Sequence, residues 1–379
     1  MELRKLWKEV EKRYQMHLAA GERGLSGEID WVHIIESLQV AEFLRGGELV
    51  LTTGMQGKEE QLLKLGKKLW QKEACGLVVN LGPYIKEIPQ PLLDFAEEKN
   101  FPVFSMPWEV HLVDVTRTIC VMLNEYDITE RKLIEAVENA LYHSQVPEMY
   151  LPYMKRFGYS ADYNYQIAVM DIKRASQDYS ERGRILRAVR GLCQDMPVRP
   201  VLFWQEERLV LLLAGDSVPY CREIAQKAVA LGEQRNYGLR AGIGPVVTTL
   251  GCLPRTYEHA MGTLELARRK QEKLLDYEEM GAYKIIMDVQ DRKMLGRFCN
   301  DLLGAVMEQD SKKQTDYMEV LREYIETGGS VQEMAERHFC HRNTITYKIQ
   351  RIKALLNVDL DDMTKRMEIL LAFQILDCL

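Results

Sequence analysis

The chain has 379 residues, 46% of them hydrophobic and 28% charged, with a formal net charge of −6; this is enough apolar matter for roughly two to four separately cored domains. That balance excludes a disordered chain, and no apolar run reaches the roughly 20 residues of a membrane-spanning helix. The opening MELRKLWKEVEKRYQM is a charged amphipathic helix rather than a secretory leader, which predicts a cytoplasmic protein whose eight scattered cysteines stay reduced.

After that helix, Glu48 to Thr52, Gly76 to Leu81 and Pro102 to Ser105 are short apolar runs rich in β-branched residues. They alternate with helical stretches at Glu59 to Glu73 and Pro91 to Lys99. Strand and helix alternating at this spacing predicts a parallel α/β domain over residues 1–124. Ligands of open parallel sheets collect at the carboxyl ends of the strands. Here those ends carry Thr52, Thr53 and Gly54, Asn80 and Gly82, and Trp108 and Glu109. The set suits a small, flat, polar effector such as a purine or ureide; the competing reading is that it caps helices and fills the rim.

A helical pattern runs from His111 to about His143, with a break expected at Asp127-Ile128-Thr129. Residues 125–155 form a linker on this reading, either pairing with a second copy or packing on their own domain. From Tyr165 to Ile243 the order strand, helix, hairpin, helix, strand is the ferredoxin-like βαββαβ arrangement, within a domain of residues 156–275. A helical connector, 276–314, follows.

Gly328 to Leu356 has its own logic. Gly328-Gly329 stops a helix bearing Met318, Leu321 and Ile325; Ser330 with Glu333 three residues on predicts a capping box for the next helix. A turn is expected at His338-Phe339-Cys340. Ile345, Ile349, Ile352 and Leu356 then recur on one helical face, so Asn343, Tyr347, Gln350 and Arg351 lie opposite, with Thr344 and Lys348 on the flank. No acid occurs between His338 and Val358, while Arg342, Lys348, Arg351 and Lys353 are cationic. A helix-turn-helix within residues 315–379, with its second helix in a DNA major groove, accounts for caps, turn, stripe and charge together; a helical hairpin with a solvated basic face is the plainer reading.

The run His341-Arg342-Asn343-Thr344-Ile345, through Tyr347 and Lys348 to Arg351-Ile352, resembles the C-terminal helix-turn-helix signature of PucR/CdaR-type transcription factors. Thr346 stands where that family has a basic residue, and Lys348 replaces an Arg, giving a point charge in place of a planar fork. Upstream, Gly46 to Gly54 and Phe101-Pro102-Val103 resemble the family's N-terminal domain, and Gly242-Ile243-Gly244 with the helix Tyr257 to Arg268 resembles its degenerate GGDEF-like domain. The resemblance extends from about Gly27 to the end. It implies a multidomain α/β and α+β protein: an N-terminal α/β sensor, a ferredoxin-like GGDEF domain and an all-α DNA reader. The expected partners are double-stranded DNA at Arg342, Asn343, Thr344, Tyr347, Lys348 and Arg351, a second copy of the chain, and a small-molecule effector; no cofactor, metal or membrane is expected.

True GGDEF domains condense two nucleotides on a glycine-rich hairpin. The corresponding tip, Gln205-Glu206-Glu207-Arg208, has no glycine, so no catalytic residue is assigned and a cyclase is the rival reading, beside a protein-interaction module using the basic helix. His338, Cys340 and His341 match no zinc spacing, and His33, His111 and His259 stand alone.

Overall fold

The computed structural model describes residues 1–55, 59–172 and 179–379. The chain divides into two compact units, one of residues 1–167, 171–239 and 246–254, the other of residues 168–170, 240–245 and 255–379.

The first unit opens with α1 (Leu3–Tyr14), β1 (His17–Ala20), β2 (Trp31–Ile34), β3 (Glu48–Thr52), α2 (Glu59–Gln71), β4 (Gly76–Leu81), α3 (Gln90–Lys99), β5 (Val103–Pro107) and α4 (Leu112–Tyr142). The five strands form one sheet in the order β1-β5-β4-β3-β2, parallel except for β1. Alternation along each strand divides the core. Leu49, Leu51, Val78, Phe104 and Met106 face α1 and the start of α4, where Leu3, Leu6, Val115 and Ile119 are buried. Val50, Leu77, Val79 and Val103 face α2 and α3, where Leu62, Leu65, Leu69 and Leu92 are buried. Covering both faces is what makes these strands read as unbroken apolar runs. The edge strands β1 and β2, absent from the sequence expectation, bury one residue each.

α4 is continuous for 31 residues, so the break expected at Asp127-Ile128-Thr129 does not occur. Thr129 Oγ1 donates back to the Glu125 carbonyl at 2.8 Å, which satisfies the hydroxyl inside the helix. The helix therefore runs through residue 124 without a joint. α5 (Leu151–Arg156), β6 (Tyr165–Ile172), α6 (Tyr179–Gly191), β7 (Val201–Gln205), β8 (Arg208–Ala214), α7 (Cys221–Gln234) and β9 (Leu239–Ile243) follow. These last strands, with β10 (Leu274–Asp276) beside β9, form a sheet in the order β10-β9-β6-β8-β7, the ferredoxin-like order with one strand added. β7 and β8 pair antiparallel, Gln205 against Arg208, and exposed Glu206 and Glu207 make the turn.

In the second unit, α8 (Leu253–Arg269) lies on Gly242 so closely that a Cβ there would stand 2.3 Å from the Leu264 nitrogen. Only glycine allows that approach. The connector is not one helix: it runs through β10 and a short turn to α9 (Tyr283–Asp288), breaks, and resumes as α10 (Arg292–Lys313). Asp291 ends the break by accepting from the Met294 N–H at 2.9 Å, an N-cap. α11 (Tyr317–Glu326), α12 (Val331–Arg337), α13 (Arg342–Leu356) and α14 (Met363–Cys378) then pack with α10 around Leu303, Val306, Leu321, Met334, Ile349, Ile352 and Phe373.

Candidate nucleic-acid interface

α11 buries Tyr317, Val320, Leu321 and Tyr324, with Met318 and Ile325 half-buried beside them. It stops where Gly328 and Gly329 take positive φ, 65° and 91°, conformations that favour glycine. Ser330 caps α12 by accepting from the Glu333 N–H at 3.3 Å. The reciprocal half of the expected capping box is missing: the Glu333 carboxylate pairs with Arg337, and the Ser330 N–H donates to the Thr327 carbonyl. Met334 and Ala335 are buried against α13.

The turn into α13 passes through Phe339, which has φ 49° and is 98% exposed. His338 Nε2 lies 2.5 Å from Glu323 Oε2, and His341 Nδ1 accepts from the Asn343 N–H at 3.2 Å as the N-cap of α13. Both imidazoles therefore serve the local fold.

Along α13, Ile345, Ile349 and Ile352 are buried, while Arg342, Asn343, Thr344, Tyr347, Gln350 and Arg351 are exposed on the remaining surface. The face division expected from periodicity is present. The four cations of the window are not equivalent, however. Lys348 is half-buried with its ammonium 2.5 Å from Asp316 Oδ2. Lys353 lies 2.9 Å from Asp361, whose carboxylate holds the ammonium above its ordinary range. Among the described residues no acid pairs with Arg342 or Arg351, so these two guanidiniums stand free toward solvent. An exposed row of two guanidiniums, two amides, a hydroxyl and a phenol ring can donate to phosphates and reach base edges.

The other expected site sits at the carboxyl edge of the first sheet. Thr52 and Asn80 are buried there. Thr52 Oγ1 donates to Glu36 at 3.1 Å, and the Thr53 and Met55 N–H groups donate to the same carboxylate at 2.8 and 3.4 Å. The Asn80 amide donates to the Pro107 carbonyl at 2.8 Å. Gly82 lies under the Trp108 ring, which meets Tyr84 edge-on at 5.8 Å, and Glu109 is exposed. Thr53 and Gly54 are half-exposed. Most of the polar set is thus engaged within the protein. Glu36 comes from the loop after β2, and no local pattern around it announces the role.

Residues 7–123 match the Purine catabolism regulatory protein-like family, residues 143–266 a GGDEF-like domain, and residues 317–375 the PucR C-terminal helix-turn-helix domain. The chain thus carries, in order, matches to a PucR-type N-terminal domain, a GGDEF-like domain and a PucR-type helix-turn-helix. Purine catabolism regulatory protein of Bacillus subtilis (strain 168) is 24% identical over 123 residues, 32% of this chain and 23% of that protein. The proline-responsive transcriptional activator PutR of the same organism is 25% identical over 133 residues, 34% of this chain and 32% of PutR. The DNA-binding transcriptional activator AdeR, also from that strain, is 23% identical over 131 residues, 34% of this chain and 31% of AdeR. The chain thus spans about a quarter to a third of the length of the relatives it matches. A regulator of polyketide synthase expression from Bifidobacterium adolescentis, known as a crystal structure, aligns over 63% of this chain and 90% of its own at 16% identity and a TM-score of 0.32. The PucR-type helix-turn-helix match contains all of α12 and α13. No helix among the described residues is long and apolar enough to cross a membrane.

Proposed function

We propose that the protein is a cytoplasmic transcriptional regulator that holds duplex DNA with α13. The observation that carries this is the solvent-facing row Arg342, Asn343, Thr344, Tyr347 and Arg351, set opposite a buried isoleucine stripe in a PucR-type helix-turn-helix. Arg342 and Arg351 supply the phosphate contacts, Asn343 and Tyr347 reach base edges, and Lys348 joins them only by leaving Asp316. One such helix covers one half-site, so the active form is a homodimer or larger homo-oligomer. The uncovered stripe Met363, Met367, Leu370 and Leu371 on α14 supports self-association.

Control comes from a small-molecule effector. One relative is named for purine catabolism and another for its response to proline, which supports a small metabolite; a purine or ureide at the rim of Thr52, Thr53, Gly54, Asn80, Gly82, Trp108 and Glu109 is the first candidate. The protein is not an enzyme on this reading. The hairpin tip that corresponds to the catalytic loop of a cyclase presents two exposed glutamates and no glycine. Selection of bound duplexes from random DNA by the full chain tests the proposal. Enrichment of one sequence, with two half-sites at a fixed spacing, is the expected outcome; recovery of no sequence above background would overturn it.

A further inference from the structure

The first sheet has a second edge, at the amino ends of its parallel strands, and the structure opens a cleft of about 550 Å³ there. Gly47, Cys75 and Pro102, each immediately preceding β3, β4 or β5, line one side. α6 lines the other with Arg184, Arg187 and Gly191. All these residues belong to the first unit.

The charges around this cleft resolve into pairs. Arg187 is bonded to Asp30, Arg235 lies 2.9 Å from Glu73, and Glu28 lies 3.1 Å from Arg190. Arg184 is the exception. Its Nε has no accessible surface and no hydrogen-bond partner, and no carboxylate among the described residues pairs with its guanidinium. A donor sealed from water without an acceptor is destabilising, the more so in a charged group. Arg184 lines the cleft, and the terminal nitrogens of its guanidinium can donate to an acceptor arriving from solution. The guanidinium fork matches two oxygens of a carboxylate or phosphate, and the cleft falls within the size range of small-molecule sites.

We infer that this cleft binds a small organic oxyanion, a carboxylate or a phosphate ester, whose oxygens accept from Arg184. Arg187 and Arg235 are held by Asp30 and Glu73, which leaves Arg184 as the cation of the cleft without a carboxylate among the described residues. At Gly191, which also lines the cleft, a Cβ would meet nothing within 4 Å. Half-exposed Trp70 at the cleft's margin offers an aromatic wall for the organic part. The cleft and the unpaired guanidinium are independent of DNA binding. The cleft also lies at the sheet edge opposite Thr52 and Asn80.

Calorimetric titration and thermal unfolding of the full chain test it, with inorganic phosphate and ribose 5-phosphate as one arm, acetate and succinate as the other, and sodium chloride at matched ionic strength as control. One arm should bind saturably and raise the unfolding temperature above the chloride control, which also identifies the oxyanion class. Arg184→Met should weaken that binding by about tenfold or more, and Arg184→Lys, which keeps charge but loses the fork, by less. Gly191→Leu should weaken it by filling the cleft with no change of charge, and it decides the matter if Arg184→Met fails to fold. No binding above chloride in either arm overturns the inference, as does affinity unchanged in Arg184→Met or, where that variant does not fold, in Gly191→Leu.

Discussion

The Lys348 ammonium on α13 and the Asp316 carboxylate at the head of α11 stand 2.5 Å apart, tying the proposed recognition helix to the helix that precedes the motif. The pair changes the electrostatics of the face. Within the acid-free window His338 to Val358 the sequence shows four cations, but two of them find acids outside it, Lys348 at Asp316 and Lys353 at Asp361. Two uncompensated guanidiniums are left to meet phosphate.

This division predicts unequal salt effects. Arg342→Ala and Arg351→Ala should each weaken binding to every duplex and flatten log K against log salt by about one unit, since each removes one phosphate contact and its released counterion. Lys348→Ala should change the slope by clearly less, and cost about 0–1 kcal/mol of stability because the pair is partly exposed. Fluorescence anisotropy over a salt series reads the slopes. A Lys348→Ala slope as shallow as that of Arg342→Ala would show that the ammonium leaves Asp316 for DNA.

Reading and holding separate along the same helix. Ile349 is buried between α13 and the rest of the bundle, so Ile349→Ala should destabilise the C-terminal unit by about 2–5 kcal/mol. Exposed Asn343 should tolerate Ala with little loss of stability, while discrimination at one or two base pairs falls by about 1–3 kcal/mol. Circular dichroism and competition binding measure the two effects. Equal loss of helicity in both variants would contradict the face assignment.

Much of this arrangement was legible because it rests on local periodicity. The runs at Glu48, Gly76 and Tyr165 are buried on both faces, and the isoleucines of α13 recur with the helix period. β1 and β2 were not legible, since His17–Ala20 and Trp31–Ile34 each bury a single side chain and are held in place by backbone pairing to β5 and β3. Nor was the rim. Whether Thr52 and Asn80 face a ligand or the protein depends on Glu36 and the Pro107 carbonyl, 16 and 27 residues away. Asp127-Ile128-Thr129 resembled a break only in isolation; inside 31 helical residues the Thr129 hydroxyl bonds to its own preceding turn.

Phe339 predicts a gain in stability. It places a bulky aromatic in the left-handed region at φ 49° while leaving it 98% exposed, so it carries backbone strain without compensating burial. Phe339→Gly should raise the stability of the C-terminal unit by about 0.5–1 kcal/mol, less the entropy glycine adds to the unfolded chain. Urea denaturation followed by helicity reads the change. A loss exceeding about 1 kcal/mol would mean that the ring makes contacts in solution that this conformation does not show.

The junction of α9, α11 and α14 makes stability depend on pH. The Tyr283 hydroxyl donates to Asp377 Oδ2 at 2.8 Å, while Arg322 donates to Oδ1 of the same carboxylate at 2.8 Å and lies over the Phe373 ring. Burial, then the hydrogen bond and negative charge of Asp377, push the Tyr283 phenol above its ordinary range. Because the folded protein keeps this proton longer than the unfolded chain does, the contribution is fully present below the ordinary tyrosine value of about 10. It is lost as pH rises from there through the folded value. Tyr283→Phe should therefore cost about 1–3 kcal/mol at neutral pH, since it leaves one oxygen of a half-buried carboxylate without its donor. The same substitution should flatten the decline of stability above pH about 10. Hydrogen exchange in α9, α11 and α14, run on both proteins across that window, separates the two effects. A decline equally steep in Tyr283→Phe would assign the alkaline sensitivity to other groups, and an unchanged neutral stability would mean that water replaces the phenol at Asp377.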